Sequence, residues 1–238
     1  MIRMSIEQIE EISLDVAKES IKEKRVIPDW TQMTERQLWI ELVGCILGSR
    51  VPFDHAKSAL DRLVQLDLIN SQEIMKKPKS IEIKISKELS KPIFKPIKIN
   101  GEGRKFRYPN IRANQICRCA ISIYSNGHSF KNLLKTKSDR SARAWLSQNC
   151  PGVGQKQASL FLRNVSHSQQ LAIIDTHVLK FMREKELIEK YGNFNLKTQY
   201  SSLESTFIQY AKGVNINPGT LDLAIWAVMS QVEVGGAR

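Results

Sequence analysis

The 238 residues carry 36 Lys or Arg against 24 Asp or Glu, a formal net charge of +12, with a pI near 9.6. That excess suits a polyanionic partner, a property shared by many lysine-rich proteins. The length allows one large domain or two small lobes around a shared cleft. No apolar run is long enough to span a bilayer, and Met1-Ile2-Arg3-Met4 leads into a charged amphipathic stretch rather than a secretory signal, so an intracellular, cytoplasmic and nucleoid-associated protein is expected.

Residues 5–24 read as an amphipathic helix with Ile6, Ile9, Ile12, Val16 and Ile21 toward one side, broken by Pro28-Asp29. Thr34-Glu35-Arg36-Gln37 is a capping-box pattern and opens a second helix through Leu47. Residues 54–68 give a third, with Ala56, Leu60, Leu63, Val64 and Leu66 as its apolar members. Residues 76–107 differ: eleven are Lys or Arg and three are acidic. Alternation in Ile81-Glu82-Ile83-Lys84-Ile85, with Pro92 and Pro96 further on, predicts a short basic β-hairpin or extended flap. Such an insertion either tracks nucleic-acid phosphates or is a solvated lysine-rich loop. Helices follow from Asn110 to about Tyr124 and from Ser141 to Gln148, and the C-terminal segment adds helices near 198–211 and 218–230. Asn217-Pro218 opens the last one, with proline at the first helical position. Cys45, Cys117, Cys119 and Cys150 match neither a disulfide framework nor a zinc ligand set and read as buried free thiols.

The stretch richest in chemistry runs from 151 to 177. Pro151, Gly152, Val153 and Gly154 form a tight turn, because two glycines one residue apart permit positive φ and close backbone approach. Lys156 to Asn164 continues as a helix, with Ala158, Phe161 and Leu162 at helical spacing, so the unit is helix, hairpin, helix. A lysine amine attacks only when neutral, and a helix N-terminus disfavours the ammonium form. Hairpin N–H groups around Gly152, Val153 and Gly154 can hold a phosphate, directly or through a cation. Nineteen residues after Lys156, Asp175 follows Ala172, Ile173 and Ile174. Each part also has an ordinary explanation. Gly-x-Gly turns are common, a lysine at a helix start is usually solvated, and His177 alone is an ordinary polar residue. An aspartate after an apolar run commonly caps the next helix, and Asp175 can both cap and act chemically.

Gly152 to Lys156, with Asp175 nineteen residues on, resembles the helix-hairpin-helix superfamily of DNA glycosylases. More narrowly, GQKQASLFLRN from Gly154 to Asn164 and AIIDTH from Ala172 to His177 resemble the archaeal-type 8-oxoguanine DNA glycosylase/lyases. Looser likeness lies in Glu41 to Leu47, Arg107 to Ala113 and Leu221 to Trp226, and the whole spans about 35 to 234. Some relatives in the superfamily carry a C-terminal four-cysteine iron–sulfur cluster; no cysteine follows Cys150, so none is expected here.

The resemblance implies an all-α, two-lobed fold with an active-site cleft between lobes and the hairpin at its mouth. One lobe is expected from 1–34 plus 183–238, and the other from 35–182, holding the helix-hairpin-helix at about 141–164 and the basic insertion. It implies that Lys156 attacks the anomeric carbon of a flipped nucleotide, expels the damaged base and forms a Schiff base that undergoes β-elimination. Asp175 would be the essential carboxylate, and His177, with Gly152, Val153 and Gly154, would contact phosphate. Base flipping needs a wedge and a pocket. The loop from Leu47 to Phe53 supplies Arg50 and Phe53 for the wedge, and the pocket candidates are Asp222, Trp226 and the terminal Arg238, whose fork can read a guanine edge. The tail is a few residues longer than in the subclass and ends in arginine rather than lysine. The implied partner is double-stranded DNA with a flipped damaged base, bound by a monomer, with no membrane role. No cofactor or metal is expected beyond a structural cation at the hairpin. The tail and the insertion leave two alternatives: the same fold acting on another modified purine in a defence or modification pathway, or a DNA-binding module without chemistry.

Overall fold

The structure is a computed structural model and describes residues 2–23, 29–192, 194–195 and 198–234. Twelve α-helices dominate the described residues, as the all-α expectation requires. In chain order the elements are β1 (Ile2–Met4), α1 (Ile6–Lys22), α2 (Glu35–Leu47), α3 (Phe53–Gln65), α4 (Ser71–Lys76), α5 (Pro78–Leu89), α6 (Pro109–Tyr124) and α7 (Phe130–Thr136). They continue as α8 (Asp139–Asn149), α9 (Gln155–Asn164), α10 (Thr176–Glu184), α11 (Tyr200–Gly213), α12 (Pro218–Met229) and β2 (Val232–Val234). All four cysteines are buried and free.

The chain divides into two compact units, one of Met1–Ile27 with Ser166–Arg238 and one of Pro28–Val165. The break therefore falls before 166 rather than at 182, and before 28 rather than at 34. The reason is α10, which buries Val178, Leu179, Phe181 and Met182 in one core with Phe207, Leu221 and Ile225. Asp175 accordingly belongs to the unit made by the termini.

In that unit, Ser5 caps α1 in a capping box with Gln8, and α1 packs along α12. The buried stripe of α1 is Ile9, Ser13 and Ala17, while Ile12 and Ile21, expected inside, are 40% and 51% exposed. Small side chains let the two helices approach closely, and the Ser13 hydroxyl is satisfied by the Ile9 carbonyl at 2.7 Å. Parallel pairing of β1 with β2, Ile2 opposite Val232 through Met4 opposite Val234, joins the two ends of the unit. Three residues are too few to show a strand period, so this pair is invisible in the sequence. The buried stretch Leu171 to Ile174 lies between helices without a strand partner, and side chains satisfy its backbone instead. Glu204 accepts from Ala172 N–H at 3.1 Å, Asp222 from Ile173 N–H at 2.7 Å, and the Tyr200 hydroxyl from Ile174 N–H at 3.3 Å while donating to the Ala172 carbonyl at 2.9 Å.

The other unit is built around α2. Thr34 caps it and Gln37 returns the bond, as the pattern predicts. Leu38, Trp39, Leu42, Val43, Cys45, Ile46 and Leu47 are buried, and α2 packs against α3, α6, α7 and α9. The basic insertion differs from its β expectation. Residues 78–89 form α5, with Ile81, Ile85 and Leu89 buried and Ile83 67% exposed. A five-residue Ile-x-Ile-x-Ile run fits both periods, and burial at i, i+4 and i+8 decided for the helix. Of the expected β-hairpin, the described residues hold one antiparallel bridge, Phe94 with Arg104, and a turn closed by Lys98 N–H to the Glu102 carbonyl at 2.8 Å.

This loop is anchored. Phe94 and Phe106 are buried, the His55 ring stacks on Phe106 at 5.0 Å, and His55 Nδ1 donates to the Lys95 carbonyl at 2.7 Å. Gly103 is essential to the packing, since a Cβ there would lie 2.5 Å from the Pro92 carbonyl oxygen and from Ile93 Cα. Gly103→Ala is therefore expected to cost about 2 kcal/mol, as overpacking against backbone does, read as a lower urea midpoint at unchanged slope.

Candidate active site

α8, a turn at 150–154 and α9 form the helix-hairpin-helix. The Val153 N–H donates to the Cys150 carbonyl at 3.0 Å and closes the turn. Gly152 has φ +84°, which demands glycine, and the position a Cβ would take lies 2.4 Å from the Gln115 side chain of α6. Only Gly152 uses positive φ. Gly154, expected to share that freedom, is the extended N-cap of α9 with φ −85°, and its missing side chain leaves the helix start open. Val153 also departs from expectation: its N–H is spent on Cys150 and its side chain is buried, so it anchors the turn and is no phosphate donor. The first turn of α9 receives no side-chain cap, which leaves its N–H groups for an anion.

Lys156 is the second residue of α9 and is half-buried. Ala158, Ser159, Phe161 and Leu162 bury the opposite face, with Phe161 against Phe130 at 5.2 Å. Asn164 at the far end donates to Glu41 of α2 at 2.7 Å, fixing the helix along α2. The charge of Lys156 reaches Cys45 in α2. Burial and then the Glu41 carboxylate push that thiol well up, against the opposing pull of Arg163 and Lys156. The thiol is therefore held protonated by its burial.

Asp175 is the N-cap of α10. Its Oδ1 accepts from His177 N–H and Val178 N–H, each at 2.9 Å. Its Oδ2 has no hydrogen-bond partner among the described residues, so capping uses one oxygen and leaves the other. His177 gives its backbone N–H to this cap and is half-buried.

The loop after α2 places both wedge candidates outside. Arg50 is exposed with φ +60°, and Phe53 is 68% exposed at the first position of α3. Beneath the loop lies Arg112, which no sequence pattern singles out. It is buried, donates to the Ser49 carbonyl and reaches Gln115 Oε1 at 2.7 Å, so one arginine links the loop to the side chain that rests on Gly152. Burial, then Arg50, lower its pKa. Tyr108 is likewise silent in the sequence; it has φ +62°, is 42% exposed, and carries the Arg107 guanidinium 4.8 Å above its ring. No local pattern announces an aromatic in left-handed backbone.

The pocket candidates separate. Trp226 is 37% exposed on α12, whereas Asp222, one turn earlier, is buried and already holds Ile173 N–H. Through Oδ2, Asp222, the expected pocket acceptor, clamps the segment leading to Asp175. Arg238 lies outside the described residues.

Helix-hairpin-helix glycosylases are the class this arrangement of elements defines. The structure is similar to that of a Methanocaldococcus jannaschii 8-oxoguanine glycosylase/lyase solved with a 15mer DNA containing 8-oxoguanine, with a TM-score of 0.70 and 22% identity over 97% of this chain and 99% of that one. Residues 83–216 match the 8-oxoguanine DNA glycosylase family. An 8-oxoguanine DNA glycosylase/AP lyase of Saccharolobus solfataricus is 30% identical over 82% of this chain and 83% of its own length. One from Saccharolobus islandicus is 38% identical over 51% of this chain, an overlap that spans 58% of that relative. The chain belongs to the 8-oxoguanine DNA glycosylase family.

The two functions of Asp175 are separable. Asp175→Ala is expected to cost about 1 kcal/mol of stability through loss of the cap, and Asp175→Asn nearly none, because asparagine caps equally well; thermal melting of the two variants checks this.

Proposed function

We propose that this protein is a bifunctional DNA N-glycosylase and AP lyase that removes 8-oxoguanine from duplex DNA, with Lys156 as nucleophile. The observation that carries the reading is the placement of Lys156 directly after an uncapped, glycine-opened hairpin, in a chain of this family. In this scheme the N–H groups at the start of α9 hold a backbone phosphate beside the target nucleotide. A monovalent or divalent cation bridging hairpin and phosphate would be structural. Asp222, Glu204 and Tyr200 fix the chain that presents Asp175.

The neutral Lys156 amine attacks C1′ as the C1′–N bond to the base breaks, and the departing base takes up a proton. Ring opening gives an imine between Nζ and C1′. Loss of a C2′ proton then expels the 3′ phosphate by β-elimination, with the protonated imine accepting the electron pair, and water finally releases the lysine. The free Oδ2 of Asp175 supplies negative charge while the sugar is cationic. Trp226 and Phe53, both open to solvent, are available to stack on a flipped base or to fill the gap it leaves. The protein works as a monomer in this reading.

Borohydride trapping on a duplex with one 8-oxoguanine opposite cytosine tests the scheme. A covalent adduct is expected with the wild type and none with Lys156→Gln. Asp175→Asn, which keeps the cap, is expected to lower single-turnover excision roughly hundred- to ten-thousandfold. Trapping on a preformed abasic site without trapping on 8-oxoguanine would retain the lyase and reject the substrate. Silence on both duplexes would reject the activity.

A further inference from the structure

The basic insertion lies outside the catalytic scheme, and its charges are arranged in one sense. All three of its carboxylates are occupied. Glu82 pairs with Lys79 at 3.6 Å and accepts from Asn114 at 3.2 Å, Glu102 pairs with Lys98 at 3.2 Å, and Glu88 is held by Arg62 at 2.8 Å and Lys91 at 2.5 Å. Burial pushes Glu88 up, but Lys91 and Arg62 outweigh it and keep the carboxylate ionised at a lower pKa than usual. The ammonium groups of Lys77, Lys84, Lys87, Lys95 and Lys105 are exposed and make no ion pair or hydrogen bond among the described residues.

Sequence periodicity produces the one-sidedness. Ile81, Ile85 and Leu89 take the inner face of α5, so Lys84 and Lys87 project away from it. The following loop is no loose tether. Phe94 and Phe106 are buried, Phe106 N–H bonds to the Leu89 carbonyl at 3.0 Å, and Gly103 packs directly on Ile93. A solvated loop has no need of such anchoring, whereas a surface that binds gains from charges already fixed in place.

One helix, α6, links the insertion to the hairpin. At its start α6 meets α5, where the Ser86 hydroxyl donates to Asn110. Five residues on, Gln115 rests on Gly152 of the hairpin.

We propose that the outer face of α5 and the Lys91–Arg107 loop form a second phosphate-binding surface, which grips the duplex arm flanking the nucleotide engaged at the hairpin. The proposal rests on the reading of this protein as a DNA enzyme. The surface contributes affinity and salt dependence, and takes no part in the chemistry. Exposed Ile97 and Ile99 at the loop tip meet the sugars, and the lysines meet the phosphates.

The test is the fourfold variant Lys84→Gln, Lys87→Gln, Lys95→Gln, Lys105→Gln, with the same positions changed to Arg as the charge-retaining control. Binding is measured against salt on duplexes of about 11 and about 25 base pairs carrying an abasic-site analogue; on the long duplex the slope of log affinity against log salt is expected to become less steep by about 3.6. The arginine variant and the short duplex are expected to show wild-type slopes, and single-turnover cleavage at saturating DNA to change less than twofold. An unchanged slope on the long duplex, or an equal loss on both lengths, overturns the proposal. Should the fourfold variant melt early, Lys87→Gln alone is expected to change the slope by about 1, and no change there overturns it equally. Absence of a borohydride adduct with the wild type would reject the enzymatic reading and leave this binding measurement standing on its own.

Discussion

The hydrogen bond from Val153 N–H to the Cys150 carbonyl closes the turn on which the candidate active site depends. It forces Gly152 into left-handed backbone, reverses the chain between α8 and α9, and leaves Gly154 extended at the head of α9. Among the described residues no side chain then caps the helix. An uncapped N-terminus with unpaired N–H groups is a cost in an isolated protein and an asset at a phosphate. Gln115 rests on Gly152 and is itself held by Arg112, whose other end grips the loop carrying Arg50 and Phe53. Turn, loop and α6 are thus one mechanical unit, and Arg112 is its pin.

Asp175 shows how one side chain can serve two purposes without conflict. Capping needs an acceptor for two neighbouring N–H groups, and a single carboxylate oxygen meets it. The other oxygen keeps its charge available. Its position is set by a buried stretch with no sheet around it, so three side chains from α11 and α12 stand in for a neighbouring strand. Asp222, which lies in a stretch resembling the family, is one of these three.

Much of the site is legible in the amino-acid sequence. The Gly-x-Gly-x-Lys spacing, the following helix and the carboxylate after an apolar run are local patterns, and local geometry follows from them. The capping box at Thr34 and the proline start of α12 are legible for the same reason. Sequence patterns mislead where two periods overlap, as in Ile81 to Ile85, and where the burying partner is distant. Ser13 and Ala17 form the inner stripe of α1 only because α12 lies against them. The domain break is hidden likewise, since it depends on which core takes Phe181 and Met182.

By itself the sequence determined the helical character, the hairpin, the lysine at the head of its second helix and the family to which these belong. Each is a matter of spacing within a few residues, where φ, ψ and hydrogen-bond partners are chosen locally. Only the tertiary structure decided that Val153 is an anchor, that Asp222 is a clamp, that Arg112 joins loop to hairpin, and that the insertion is a pinned helix and loop showing unpaired lysines. Those roles depend on which residues far apart in the chain come within a few ångströms, and burial of apolar surface, which is not directional, settles that for the fold as a whole.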